Sequence, residues 1–490
     1  MPFLTTVASA ATTPLALLSQ AAKSRPAAAR PISPVVLLGL IRAVELTVLA
    51  GVGLASAGLA MNGTVNLAHS AVVSIAAAVL ACGLFEMMGL YTLSAMRRPG
   101  HYGLRLAAGP LLAIAVVAVM LPGLLPGTWL PVWLVAGALA LLTGRVALAI
   151  LIWRWSRQGR LTRRAVVYGS GAPCQDLLKS LGADANSDIR ICGIYDDRSA
   201  NRGADQTGYP HHGGVDNLIG FARSANVDLV LLALPISAET RLMALLKQLW
   251  VLPADVRLVA SASHLQLSPR TYSWIGDVAL IALADRPISD WGQVAKSAFD
   301  RIIGSLALIA LAPVMALTAL AIKLDSKGPV LFRQKRYGFN NELIEVFKFR
   351  SMYTSLADQG AAKLVTRQDP RVTSVGRFIR KTSLDELPQL FNVLIGNLSL
   401  VGPRPHAVSA KAAAKLYDEV FDGYFARHKV KPGITGWAQV NGWRGETDTE
   451  DKLRHRVEHD LYYIANWSLL LDAWILLRTP LALLKTDNAY

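Results

Sequence analysis

Four long apolar stretches, at about 34–60, 66–93, 103–125 and 129–153, constrain this chain more than any other feature. Each is long enough for the roughly 20 residues that a helix needs to cross the hydrocarbon of a bilayer. The region 33–155 therefore reads as four transmembrane helices. Its flanks give an orientation. Lys23, Arg25 and Arg30 precede the first stretch. Arg97, Arg98 and Arg105 lie between the second and third, and Arg154, Arg157, Arg160, Arg163 and Arg164 follow the fourth. The connections 61–65 and 122–128 hold no Lys or Arg. Basic loops stay cytoplasmic, so the N-terminus and everything past 154 are expected inside. The first stretch begins too late, and lacks the small-residue site, to be a cleavable signal.

The charge balance fits that topology. Lys and Arg number 50 against 34 Asp and Glu, a net +16, yet only 17% of residues are charged. Residues 1–165 carry thirteen basic residues and two acids, Glu45 and Glu86. Most of the excess is thus a topology signal. Neither a disordered chain nor a nucleic-acid binder fits, since both would be rich in charge. Arg42, Glu45, Glu86 and Arg145 fall inside the spans. They could line a transport pathway, but interhelical pairing or interfacial snorkelling is the favoured reading. Cys82, Cys174 and Cys192 lie too far apart for a disulfide framework or a Cys-x-x-Cys metal site. Residues 1–32, rich in Ala, Ser and Thr, are expected to be a mobile segment.

From about 162 the pattern changes. Short apolar strands at Ala165–Tyr168, Ile189–Tyr195, Asp228–Leu234 and Asp255–Val259 alternate with helical stretches. That alternation predicts a Rossmann-like α/β domain over 162–265 with a parallel sheet. Gly169 and Gly171 could open a dinucleotide fingerprint with Asp197 on a ribose. However, Cys174 stands where the third glycine belongs, and Pro173 intrudes. A domain without a nucleotide, serving dimerisation or regulation, is favoured. A linker over 266–295 is expected to follow.

Residues 302–322 are apolar and long enough to span. A fifth crossing would export the basic segment that follows, against the positive-inside bias. Pro313 sits near the middle, Asp300 and Arg301 precede, and Lys323 follows. The stretch 301–323 is therefore read as a re-entrant hairpin that leaves on its entry side. Trp467–Lys485, apolar with Asp472, Arg478 and Lys485 interspersed, reads as an interfacial helix.

Behind the hairpin the sequence becomes site-like. In Glu345–Met352, Lys348 and Arg350 share one strand face, which suits phosphate oxygens or simply solvent. Thr382-Ser383-Leu384-Asp385-Glu386 contains a capping-box pattern, Ser383 with Glu386. That pattern leaves Asp385 unexplained. Paired carboxylates among cations also suit a Mg²⁺–phosphate site or a carboxylate nucleophile. Pro403-Arg404-Pro405 fixes Arg404 between two rigid residues. His455 and His459 have metal-like spacing but no third ligand motif.

These motifs are DRIIGSLALIALAPVMA, GPVLFRQKRYG, VFKFRSM, TSLDELPQLFNVL, LSLVGPRP and KPGITGWAQVNG. In that order they resemble the bacterial polyprenyl-phosphate hexose-1-phosphate transferases, the large monotopic phosphoglycosyl transferases. The resemblance covers roughly 296–485, within a catalytic domain expected over 296–490, and is greatest to undecaprenyl-phosphate glucose phosphotransferases of exopolysaccharide assembly. It implies a multi-pass protein of the bacterial inner membrane with its catalytic domain on the cytoplasmic face. Asp385 would be the nucleophile and Glu386 a catalytic, Mg²⁺-binding carboxylate. Lys348, Arg350, Arg404, Arg336 and Gln439 would hold substrate, and Asp300 and Pro313 would set the hairpin. The donor would be a UDP-sugar, the acceptor undecaprenyl phosphate, the surroundings membrane lipids, and a homodimer is possible. Asp460 is a weaker site candidate, with an exposed helix acid as the favoured reading. Galactose 1-phosphate transfer is the alternative within the family. A membrane-anchored oxidoreductase or epimerase is the alternative outside it, though the α/β domain has no Tyr-x-x-x-Lys pair.

Overall fold

The computed structural model describes residues 32–60, 67–97, 99–120, 129–183, 188–197, 212–235, 238–260, 272–275, 278–354, 369–406, 411–412, 415–416, 424–445 and 449–484. The expected mobile segment 1–32 lies almost wholly outside them. The chain divides into two compact units, with the first boundary at Arg163.

The first unit is built from α1 (Pro34–Ala60), α2 (Leu67–Met87), α3 (Gly103–Met120) and α4 (Trp129–Arg157). These are the four expected stretches; residues 121–125 of the third lie outside the described region. Among the described residues, Pro34–Leu59, Ala68–Met87, Pro131–Arg157 and Asp290–Asp325 are long and apolar enough to cross a bilayer; the third expected span, described over Gly103–Met120, is not one of these four. Trp129 and Trp133 stack with ring centroids 5.5 Å apart. Their indole nitrogens donate to the carbonyls of Gly53 (2.9 Å) and Leu49 (3.1 Å) on α1. The charges within the spans are paired. Arg145 and Glu45 are both buried and meet at 2.5 Å, and Tyr91 adds a hydrogen bond of 2.9 Å to the same carboxylate. Arg42 and Glu86 pair at 2.9 Å. Each partner removes the cost of an isolated charge in hydrocarbon, so the pairing reading accounts for all four residues.

The second unit contains a six-stranded sheet of order β2-β1-β3-β4-β6-β5. Its strands are β1 (Arg163–Tyr168), β2 (Ile189–Tyr195), β3 (Leu229–Leu232), β4 (Asp255–Ala260), β5 (Tyr272–Ile275) and β6 (Val278–Ala284). Helices α5 (Ala172–Ala183), α6 (Val215–Ala225) and α7 (Glu239–Leu249) intervene between the first four strands, and β1 pairs parallel with β3, and β3 with β4, as strand–helix alternation dictates. The expected linker 266–295 is instead mostly ordered structure. Its apolar Val278–Ala284 run pairs antiparallel with β4 and carries β5 on its other edge. Asp197 is engaged internally: Tyr168 donates to it at 2.5 Å and the Val215 amide at 3.2 Å.

Helix α8 (Asp290–Asp325) leads into the C-terminal region. Ser289 caps it by accepting the Gly292 amide at 3.2 Å. The expected hairpin over 301–323 is the middle of this single 36-residue helix, with Pro313 inside it. Proline removes one backbone bond. Packing on both sides of Pro313 holds the helix through that loss. Gly304 and Met315 are both buried, Gly304 facing Val393 and Leu400, and Met315 clustering with Phe349 and Ile379. The outer face exposes Ile302, Leu306, Ile309, Leu317 and Leu320.

The C-terminal core sits beneath α8. It is assembled from β7 (Leu331–Tyr337) paired antiparallel with β8 (Leu343–Phe349), α9 (Ser374–Lys381) and α10 (Gln389–Ile395). β9 (Ser399–Val401) then pairs parallel with β10 (Gly433–Thr435), followed by α11 (Glu450–Ala465) and α12 (Leu469–Leu484). Val346, Leu390, Leu400, Tyr463 and Ile475 form the centre of this core. Asp300 fastens α8 to it, accepting from Ser399 Oγ (3.1 Å) and the Leu400 amide (3.2 Å). Lys296, one turn earlier, reaches Asp472 on α12 (2.7 Å) and the Val401 carbonyl (2.9 Å).

Candidate active site

Asp385 and Glu386 lie on a single 3₁₀ turn, Leu384–Glu386, between α9 and α10. The expected capping box does not form. Ser383 adopts the left-handed region at φ 57° and makes no side-chain cap. Its hydroxyl accepts from Arg444 instead. A left-handed non-glycine residue costs of order 1 kcal/mol. Here that conformation turns the chain sharply before two consecutive acids.

The two acids have different surroundings. Glu386 accepts Lys348 Nζ at 2.9 Å and Arg404 at 2.5 and 3.1 Å, through both its oxygens. Burial raises its pKa, but Arg404 and then Lys348 oppose burial and hold it well below the usual carboxylate range. Asp385 makes no hydrogen bond or ion pair among the described residues. Burial, opposed by Lys348 and reinforced by the charge of Glu386, pushes it up to about 6. A neighbouring carboxylate that is fully paired, beside one that is not, is how sites separate two acids into two roles.

Supporting elements explain the placement. Lys348 lies near the end of β8, whose Val346 is part of the buried core. Asn392 of α10 locks β8 to the carboxylate turn, accepting the Phe347 amide (2.9 Å) and donating to Glu345 O (2.6 Å). Arg404 follows β9, and its carbonyl accepts Arg427 Nη2 at 3.1 Å. Arg427 is itself buried against Asp460 and the ring of His406. Burial, with Arg427 next, lowers the His406 pKa well below its usual value, so the ring is neutral. Asp460, expected to be an exposed helix acid, is thus a buried counter-ion behind the Pro-Arg-Pro segment. The register of α11 places it inward with Leu453, Val457 and Tyr463.

Not every expected substrate ligand reaches the carboxylates. Arg350 lies beyond the end of β8, where it is buried and donates to the carbonyl (2.6 Å) and hydroxyl (2.9 Å) of Ser326. It caps the C-terminus of α8. The strand ends at Phe349, so the alternation that put Lys348 and Arg350 on one face no longer holds. Arg336 donates to Pro405 O at 2.6 Å and Gln334 at 2.8 Å, and so braces the Pro-Arg-Pro segment. Gln439 lies near the site, buried, with Nε2 on Ile434 O at 3.3 Å. Arg444 was not anticipated. It follows the Lys-Pro-Gly to Asn-Gly motif by two residues, and only the fold brings it back to Ser383.

Known proteins share this arrangement of motifs. The family described as bacterial sugar transferase matches residues 291–486, and a CoA-binding domain family matches 86–260. The undecaprenyl-phosphate glucose phosphotransferase of Komagataeibacter xylinus is 44% identical over 336 residues, 68% of this chain and 61% of that one. The UDP-glucose:undecaprenyl-phosphate glucose-1-phosphate transferase of Escherichia coli (strain K12) is 40% identical, over 66% of this chain and 68% of its own. The chain belongs to the bacterial sugar transferase family. The resemblance read from its motifs is borne out, and the protein is a sugar transferase. A relative named for N-acetylgalactosamine, from Aeromonas hydrophila, is 43% identical over 185 residues, 38% of this chain and 42% of its own. The family's residues in this sugar transferase include every member of the carboxylate site. Strands β1 to β4 of the α/β sheet fall in the other matched segment, and β5 and β6 lie beyond it.

Proposed function

We propose that this sugar transferase moves hexose 1-phosphate, glucose 1-phosphate first, from a UDP-sugar to undecaprenyl phosphate and releases UMP. The observation that carries the reading is the contrast between free Asp385 and paired Glu386. In the first step an Asp385 oxygen attacks the phosphorus that bears the sugar. The bond from that phosphorus to the bridging oxygen breaks, and UMP leaves with the electron pair. In the second step an oxygen of the lipid phosphate attacks the same phosphorus. The bond to Asp385 breaks, and the carboxylate is restored. One phosphoanhydride is consumed and one is formed, so no ATP is needed. In this reading Lys348 and Arg404, which hold Glu386, pass to the donor's phosphate oxygens.

Mg²⁺ suits this donor set. Mg²⁺ takes one or two carboxylates and leaves the rest of its shell to water and phosphates. Two adjacent carboxylates are present, and no group of three or more metal-binding side chains occurs among the described residues. Glu386 would hold the ion, which would supply charge neutralisation to the diphosphate.

The same reading places α8 in one leaflet of the inner membrane, with the catalytic domain on the cytoplasmic face and the product entering exopolysaccharide or capsule assembly. Support comes from the burial of α8 against one globular core on both sides of Pro313 and from its leucine-lined outer face. The relatives' names favour glucose. UMP release across a panel of UDP-sugars with Mg²⁺ and undecaprenyl phosphate tests the function. Release from UDP-glucose above UDP-galactose is expected; release from none contradicts it.

A further inference from the structure

The carboxylate site continues into a cavity of about 240 Å³ between α8 and α12. Its walls are apolar and come from four parts of the fold, including Leu311, Leu390, Leu400 and Leu476. Its polar lining comprises Ser383, Glu386 and Arg444, which lie together, with Thr435, Gln439 and Thr479. Two buried polar atoms of that lining, Gln439 Oε1 and Arg444 Nη1, have no hydrogen-bond partner among the described residues. Gln439 is 9% exposed. Buried polar groups are normally satisfied, so such orphans mark a place where a ligand's groups are missing. The helices that wall the cavity expose leucines on their outer faces, Leu306 and Leu317 on α8 and Leu470 and Leu477 on α12. A ligand suited to this space has an apolar body that arrives from lipid and an anionic head.

We propose that the cavity seats the first isoprene units of the polyprenyl phosphate acceptor, with its phosphate against Arg444 and beside Asp385. The inference rests on the transfer reading above and adds a position for the second substrate. It separates the two substrates in space. The donor's diphosphate takes Lys348 and Arg404, on one side of the carboxylate turn, and the lipid phosphate takes Arg444 at the cavity mouth. Ser383, strained and bonded to Arg444, links the two sides.

Filling the cavity tests this. Ala307→Phe on α8 and Ala482→Phe on α12 narrow it from two walls. Each is measured in the full-length protein with two readouts. The first is exchange of labelled UMP into UDP-glucose without lipid, which reports the donor half-reaction and an intact fold. The second is the KM for undecaprenyl phosphate. The expected result is donor exchange near wild type and an acceptor KM raised at least about tenfold, the usual effect of misfit in an apolar pocket. An unchanged acceptor KM in both variants overturns the proposal, as does a raised KM for UDP-glucose alone. Absence of exchange in the wild type would instead count against the two-step reading. A series of polyprenyl phosphates of increasing length gives a readout that needs no variant. The wild-type KM is expected to fall over the first few isoprene units and then level; a KM independent of length overturns the proposal.

Discussion

Arg404 grips Glu386 through both carboxylate oxygens, at 2.5 and 3.1 Å, while Asp385 one residue earlier on the same turn has no partner among the described residues. The site is thus charged and ordered before a substrate arrives. The pair fixes Glu386 as an ionised carboxylate. Its neighbour is left desolvated and free to act.

Asp385 should therefore govern the pH profile. Its pKa is raised to about 6, and only the ionised form is a nucleophile. UMP release under kcat/KM conditions should rise with pH through about 6 and flatten above it. A profile already flat at pH 5 would contradict the assignment.

The same shift has a stability sign. A folded carboxyl raised above its usual value favours the neutral form, so its contribution is present at low pH and lost as pH rises through about 6. Asp385→Asn should thus stabilise the protein at pH 7.5 by roughly 1–3 kcal/mol. That gain should vanish near pH 4. Thermal unfolding of both proteins across this range measures it.

Arg404→Lys should be far from neutral. Lysine keeps the charge but loses the planar fork that meets two oxygens. A fall in kcat/KM of roughly 10–100-fold is expected, about 1.4–2.8 kcal/mol of lost transition-state stabilisation. Steady-state kinetics with varied UDP-glucose checks this.

The anchor of α8 should show strong coupling. Lys296 bridges Asp472 at 2.7 Å and Asp300 at 3.4 Å, all three buried. Removing one partner strands a buried charge, which costs about 3–5 kcal/mol. Asp472→Leu alone should destabilise sharply, and adding Lys296→Met should recover part of the loss. Denaturation of the single and double variants in detergent reads the difference.

Much of this arrangement was legible in the chain. Three of the four expected spans, in α1, α2 and α4, are long and apolar enough to cross, as their apolar length suggests, and the parallel strands follow from alternation with helices. Asp385, Glu386, Lys348 and Arg404 stand in motifs whose chemistry is local enough to read. What failed depended on distance in sequence. Arg350 looked like a second phosphate ligand until the end of β8 turned it onto Ser326. Asp460 looked exposed because its partner Arg427 lies 33 residues away. The run 278–284 carries no sign that it will pair with β4 rather than link two domains. The cavity cannot be read from sequence, since α8 and α12 are more than a hundred residues apart.

The proposed reading, in which Glu386 holds Mg²⁺, predicts magnesium dependence. Chelation with EDTA should abolish UMP release, and restored Mg²⁺ should recover it. Full activity in chelator would remove the metal from the account.

The most direct measurement mixes purified protein with UDP-glucose and Mg²⁺ in the absence of any lipid acceptor. A covalent step at Asp385 predicts a rapid burst of about one UMP per enzyme molecule, then a halt. Asp385→Asn should give none. No burst from the wild type, or an undiminished burst from Asp385→Asn, would contradict the mechanism.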